Sequence, residues 1–351
     1  MTRRTLSSII ACLLLVGLFT AAAFLPIPYV TMSPGPTINV LGDSSGRSII
    51  DVHGHKTYSD PGQLRLVTVS VTSPSQHLSL AQAMLTWFDG TRAIYPRDVI
   101  YPPQQTVQQS QQEGSVEMVS SQDTAVAAAL TELGYHPKVE TEVLAVTSGT
   151  PADGKLKARD QIRAVNGVTI HTAQQVSGAI QKTGLHGVAR FVVIRDGRPR
   201  TVAVRPRPDP ADPKKAQVGI VVGEGYHLPI NVSVNLSDSI SGPSAGLLFS
   251  LGVYDKLTPG SLTGGDTIAG TGTISADGSV GPIGGIQQKI VAAADAGAKI
   301  FLVPPANCDS ALGADVKKGE IRLVKAPTMH SAVTSIRTYV KNPSAALPKC
   351  G

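Results

Sequence analysis

Hydrophobic and polar positions change rhythm several times along the chain. From about Leu6 to Leu25 the residues are apolar without a charge, and Thr2-Arg3-Arg4 precede them. Roughly 20 such residues, at about 1.5 Å rise each, match the thickness of a bilayer core. The basic side of the run predicts a cytoplasmic tail (1–5), a single transmembrane helix (6–25) and an extracytoplasmic remainder. A cleaved signal peptide is the alternative, because Ala21-Ala22-Ala23 offers small residues at a cleavage position. Beyond Pro26, alternation over Thr37–Leu41, Ser48–Val52 and Gln63–Val71 predicts strands of a half-buried sheet. Helical spacing predicts Leu78–Phe88 as a helix, and a Gln-rich stretch, Gln104–Gln112, leads into a helix over Val116–Leu133 that Gly134 stops.

The texture shortens from Val139 to Val204. Strands are predicted at Glu142–Val146 and Gln161–Val165, with an Asn166-Gly167 turn and a helix near Ala173–Lys182. A hairpin follows, Ala189–Ile194 and Thr201–Val204 around Asp196-Gly197. Prolines 206, 208, 210 and 213 cannot continue a central strand and read as a stiff linker. Thereafter a strand, Ile230–Leu236, precedes an apolar helix over about Pro243–Leu257, and a second helix lies within Gly284–Gly297. The expected division is a strand-rich segment (27–134), a compact module (135–208), a second domain (214–341) and a C-terminal tail (342–351). The fold class is α+β.

Composition narrows the function classes. With 351 residues, 42% hydrophobic and 16% charged, the chain can bury a core and is neither disordered nor collagenous. Its net charge of +6 is spread out apart from an excess between Arg195 and Lys215, with no interleaved aromatics, so no nucleic-acid partner is expected. No CxxC or HExxH occurs, and His53 with His55 sits on a Gly-rich loop, so neither a metal nor a cofactor is expected. Cys308 and Cys350 fall in the exported part, where the sequence leaves a disulfide and two free thiols equally open.

Chemistry concentrates late in the chain. Gly242-Pro243-Ser244-Ala245-Gly246 places a serine in a first helical turn, where unpaired amides and the helix dipole favour an oxyanion. The same pentapeptide fits the GxSxG elbow of α/β-hydrolases, which would take His330 as base with Asp295 or Asp309 as acid. The other candidate base is Lys289, at the edge of the apolar stripe Ile286, Ile290, Ala293 and Gly297. Burial there would lower its pKa, and a lysine that snorkels off the helix edge is the alternative.

Two resemblances order these candidates. Val143–Ala152, Leu156–Ile162 and Val165-Asn166-Gly167 resemble a PDZ domain of the bacterial protease-associated type, departing from it where Arg159 replaces the usual glycine. That resemblance implies peptide-end binding by strand addition, with Leu133-Gly134-Tyr135 as the candidate carboxylate loop. Ser244 in its pentapeptide, Ala269–Ile274, Gly278–Ile286, Lys289 and Ala296–Pro304 together resemble the proteolytic domain of the Lon protease family, and the whole chain resembles bacterial membrane-anchored PDZ–Lon peptidases. This implies a ribosomal protein S5 domain 2-like fold and a Ser–Lys dyad. In it Ser244 is the acylating nucleophile, Lys289 the general base, Thr271 the partner that orients the lysine, and the Ser244 amide an oxyanion donor, with Gly242 and Pro243 in support. Ser241 stands where Lon proteins often carry an acidic residue. The resemblance also implies protein or peptide substrates, a homo-oligomer and a PDZ module inserted within the Lon fold. No GxxxxGK[ST] phosphate loop occurs in the sequence, so proteolysis without ATP is expected. A non-catalytic PDZ adaptor and a hydrolase-type esterase are the competing readings.

Overall fold

The computed structural model describes the backbone of residues 3–44, 46–73, 75–102, 107–236, 240 and 242–351, and all their side chains except those at 3, 4, 6, 8, 107, 108 and 111. The N-terminal run forms α1 (Arg3–Ala23), and its large side chains between Ile9 and Phe19 are exposed. Among the described residues no helix is long and apolar enough to cross a membrane.

The chain then lays down β1 (Pro26–Ile27), β2 (Tyr29–Asn39), β3 (Ile50–His53), β4 (Gln63–Val71) and β5 (Leu78–Ser79). Next come α2 (Leu80–Trp87), β6 (Ala93–Pro96) and the long α3 (Val107–Glu132). Ser79 caps α2 in a reciprocal box with Gln82. The expected helix therefore forms, but it turns the opposite way from a soluble amphipathic helix. Ala83 and Thr86 face the protein, while Met84, Leu85, Trp87 and Phe88 face out.

A separate module follows, made of β7 (Lys138–Val146), β8 (Gln161–Val165), α4 (Ala173–Thr183), β9 (Ala189–Arg195), β10 (Arg198–Val204) and β11 (Ile220–His227). Its antiparallel sheet runs β10-β9-β8-β7-β11. Asp196 and Gly197 take φ of 51° and 70°, the mirror-image turn that a tight hairpin needs. The module ends later than the proline linker suggests. Ala216, Val218 and Ile220 enter its core, and Ile220–His227 pairs with Lys138–Val146 along its full length, so residues 214–227 belong here and not to the second domain.

The C-terminal part returns to the first. β12 (Asn231–Val234) pairs with β3, and a 3-10 turn, Pro243–Ala245, leads into α5 (Gly246–Leu257). After these come β13 (Thr267–Gly270), α6 (Ile286–Asp295), β14 (Ile300–Val303), β15 (Arg322–Lys325) and α7 (Met329–Lys341). One sheet of order β15-β14-β13-β4-β2-β6 joins strands from before and after the module. Strand alternation separates its two faces. Leu64, Leu66, Ile268, Ile300 and Leu302 pack with α3, α5 and α7, whereas Val67, Ala269, Phe301 and Val303 pack with α6. A disulfide between Cys308 and Cys350, with Cα atoms 5.0 Å apart, fastens the C-terminal tail to the α6 side.

Arg159 joins the module to α3. Among the described residues it is one of three non-glycine residues with positive φ, at 69°, and from that position its guanidinium reaches Gln122 Oε1 at 2.6 Å and Asp123 at 3.1 Å. Glu142 of β7, 3% exposed, lies in the same contact, and its Oε1 is the buried side-chain atom without a partner among the described residues. Burial first, then the neighbouring Asp123 charge, push Glu142 up to about 8; burial raises Asp123 as well, opposed by the Arg159 guanidinium and by the hydrogen bond with Glu142. A free Glu titrates near 4.5, so between 4.5 and about 8 the folded chain holds a proton that the unfolded chain has lost. Stability therefore falls as pH rises through that window. Glu142→Gln, which imitates the protonated form, is expected to flatten this fall in melting temperature measured across the window.

Candidate active site

Ser244 and Lys289 reach one cleft from opposite faces of the sheet. Ser244 comes with the 3-10 turn before α5, and Lys289 projects from the first turn of α6. They meet where β13 ends at Gly270; β13 pairs with β4 only as far as Leu66, and among the described residues no strand follows on that side of Val67–Val71, whose other edge pairs with β2. The cleft holds ≈ 460 Å³ and is lined by Val67–Val71, Pro36, Met118, Gly242, Ser244 and Lys289, among others.

Local sequence explains the serine's placement. Gly242 has φ of 92°, a value that a side chain resists, and this swings the chain into the turn. Pro243 then supplies a fixed φ at the first turn position, whose amide has no helical partner in any case. Ser121 Oγ of α3 donates to the Pro243 carbonyl at 3.1 Å. A Cβ on Gly246 would lie 2.9 Å from Ile274 Cγ2, so a glycine is needed where α5 starts. The Ser244 and Ala245 amides sit in the first turn leading into α5, where helices leave amides unpaired and the dipole is positive.

Thr271, 1% exposed, links the two residues. Its hydroxyl donates to the Ser244 carbonyl at 3.0 Å, and Lys289 Nζ donates to Thr271 Oγ1 at 3.2 Å. The Gly272 amide also donates to the Ser244 carbonyl, at 2.9 Å. Since the threonine hydroxyl has given away its single proton, it can only accept from the lysine. A neutral amine bonded this way keeps its lone pair free. Among the described residues no hydrogen bond joins Ser244 Oγ to Lys289 Nζ.

Lys289 does not snorkel. It is 3% exposed, and burial alone brings its pKa down from 10.5 to about 8. Thr271→Val is expected to lower kcat/KM about 10- to 100-fold, the kinetic equivalent of one lost buried hydrogen bond, while Thr271→Ser restores most of it. Steady-state cleavage rates of the two variants check this.

The other candidates lie elsewhere. His330 caps its ring on Glu132 at 2.8 Å, with 77% of its side chain exposed, and it does not line the Ser244 cleft. Asp295 and Asp309 are exposed. The Leu133-Gly134-Tyr135 loop is corrected by its own hydrogen bonds. All three amides are spent on ending α3, donating to Ala129, Thr131 and Leu130, and none is left for a carboxylate. Ser241 lies outside the described residues. Among the described residues no group of three or more His, Cys, Asp or Glu could hold a metal. Sequence reasoning missed the open edge of the module at β11. Its signal was Val218-Gly219-Ile220, a turn at Gly219 (φ 82°) leading into an apolar strand beside α4.

Comparison with known proteins also finds two domains, with the PDZ match beginning within α3 and ending before β11. Residues 235–336 match the model of the Lon protease (S16) C-terminal proteolytic domain, and residues 115–205 match that of the PDZ domain. The chain is 41% identical over 68 residues to Lon protease 2 of Bacillus subtilis (strain 168), which is 19% of this chain and 12% of that protein. It is 38% identical over 101 residues to Lon protease of Campylobacter concisus (strain 13826), 29% of this chain and again 12% of the relative. The chain thus spans only a small part of these relatives' length. Among solved structures, the PDZ domain of the SdrC-like protein from Listeria innocua aligns at 20% identity with a TM-score of 0.22, over 25% of this chain and 97% of that one. Ser244, Thr271 and Lys289 all fall within the first matched segment, and the chain therefore carries a Lon-type C-terminal proteolytic domain together with a PDZ domain.

Proposed function

We propose that the chain is an ATP-independent serine endopeptidase with a Ser244–Lys289 dyad, anchored by residues 6–25 and cutting exported or membrane proteins at the extracytoplasmic face as a homo-oligomer. The single observation that carries the reading is a lysine 3% exposed that, among the described residues, has no carboxylate partner and is bonded through Thr271 in the cleft that Ser244 lines. With a pKa of about 8, roughly a tenth of it is neutral at pH 7. That fraction takes the proton of Ser244 Oγ as the oxygen bonds to the scissile carbonyl carbon. The first-turn amides at Ser244 and Ala245 receive the developing oxyanion. The lysine ammonium then gives its proton to the departing amine, and the neutral lysine so regenerated deprotonates the water that hydrolyses the acyl-serine.

The unpaired edge of Val67–Val71 gives a substrate somewhere to lie. An extended peptide added there would run past Ser244 with its backbone paired to the strand, a geometry open only to unfolded segments. In the module, the free edge of β11 beside α4 is the corresponding place for a peptide end, with the Val218-Gly219-Ile220 turn at its head. The test is hydrolysis of an unfolded model protein by the full chain in lipid vesicles without ATP. Wild type is expected to cut and Ser244→Ala not to. Peptide binding without cutting by wild type would place the chain among adaptors instead.

A further inference from the structure

α2 is built inside out. Leu85, Trp87 and Phe88 are 74%, 79% and 82% exposed, while the positions turned toward the sheet are the small Ala83 and the polar Thr86. A helix that lives in water would place its leucine and aromatic residues inward. Its location matters as much as its composition. β1 follows α1 after only Phe24 and Leu25, and it pairs with β5, the strand that leads directly into α2. The Leu80 amide donates to the Leu25 carbonyl at 3.1 Å, so the first turn of α2 is tied to the end of the apolar run. Phe24 and Leu25 are themselves 75% and 59% exposed, which makes the apolar surface continuous from α1 to α2.

We propose that α2 lies in the interfacial layer of a phospholipid bilayer, with Met84, Leu85, Trp87 and Phe88 bedded among headgroups and upper acyl chains. A segment leaving a bilayer at Phe24-Leu25 emerges at the water interface, and α2 is held there by one strand pair and one hydrogen bond. Trp and Phe are the side chains that favour this layer, and a short helix whose exposed side chains are, apart from Gln82, apolar matches helices that lie in it. Beside α2 lies a hollow lined by Thr31, Thr72, Gln82, Leu85, Asp89 and Arg92, among others. Val71, the last cleft residue of β4, is followed at once by Thr72 in this hollow, so the free edge beside Ser244 runs toward the surface that α2 marks. Substrate segments emerging from the lipid would meet that edge first. The inference rests on the anchor reading of residues 6–25 for which surface α2 meets.

Trp87 is the single tryptophan of the chain, so intrinsic fluorescence reads this helix alone. The full chain is reconstituted into phosphatidylcholine–phosphatidylglycerol vesicles bearing a nitroxide either near the headgroup or near the acyl terminus. The expected result is blue-shifted emission, stronger quenching by the shallow nitroxide than by the deep one, and protection from aqueous iodide. Leu85→Asp with Phe88→Asp should restore iodide access. Emission open to iodide and unquenched by either lipid overturns the inference. Emission shielded from iodide and from both lipids also overturns it, by placing a second copy of the chain on α2. Flotation of the vesicles after an alkaline wash reads the anchor separately. Chain that floats with Trp87 unquenched overturns the α2 inference alone, and chain washed off after showing shallow quenching overturns the anchor reading alone.

Discussion

Lys289→Ala is expected to lower peptide-bond cleavage by about 10³- to 10⁴-fold, and Ser244→Ala by a similar factor, because each removes the same proton transfer. Combining the two should cost little more than either alone. Lys289→Arg should be as inactive as alanine, since a guanidinium does not give up its proton in this pH range. The wild-type pH profile follows from the sign of the lysine shift. The neutral amine is the reactive form and its pKa is about 8, so kcat/KM should rise about tenfold per pH unit below that value and level off above it. The same burial has a cost in stability. In the unfolded chain the lysine titrates near 10.5, so between about 8 and 10.5 the unfolded state binds the extra proton and wild-type stability rises with pH. Lys289→Met fills the same apolar space without a charge. It should be inactive, more stable than wild type at neutral pH, and without that rise, as thermal melts at both ends of the window would show.

Reduction of Cys308–Cys350, or its replacement by two alanines, is the change with the largest expected effect on stability. The bond spans 42 residues, a loop whose closure in the unfolded chain corresponds to about 4 kcal/mol in the chain-entropy estimate. Both cysteines are buried against Phe301, Ala311 and Ile321, on the sheet face that carries α6. Loosening this face should mobilise Lys289 as well as lower the melting temperature. The double alanine variant is thus expected to lose activity on warming well before the wild type does. An unchanged denaturant midpoint in a reducing agent would show that the tail holds without the bond.

What could be read from the sequence was mostly local. The Gly242–Gly246 turn, the Asp196-Gly197 hairpin and the helix bearing Lys289 each carry their signals within a few residues, and each forms as expected. The pairing of Ile220–His227 with Lys138–Val146 was not legible, because the proline run between 206 and 213 marks a change of direction without saying which sheet the next strand joins. Nor does helical spacing say which face of α2 turns inward, since that depends on the small residues the sheet can accept at Ala83 and Thr86. Leu133-Gly134-Tyr135 offered a glycine turn that suits either a helix stop or an anion loop, and the hydrogen bonds chose the stop. Arg159 looked like a departure from a pattern. In the folded chain it is one of the residues that reach α3, which packs on the serine turn through Ser121. The cysteine pair belongs to the same class, a contact between distant segments that spacing leaves open.

One comparison decides the assignment of the base. The full chain in vesicles, without ATP and with an unfolded protein as substrate, is assayed as wild type, Lys289→Ala and His330→Ala. The expected result is activity in wild type and His330→Ala and none in Lys289→Ala, because His330 sits on Glu132 at the surface while Lys289 shares the serine's cleft. An active Lys289→Ala beside an inactive His330→Ala would contradict the dyad and return Ser244 to a histidine-dependent mechanism.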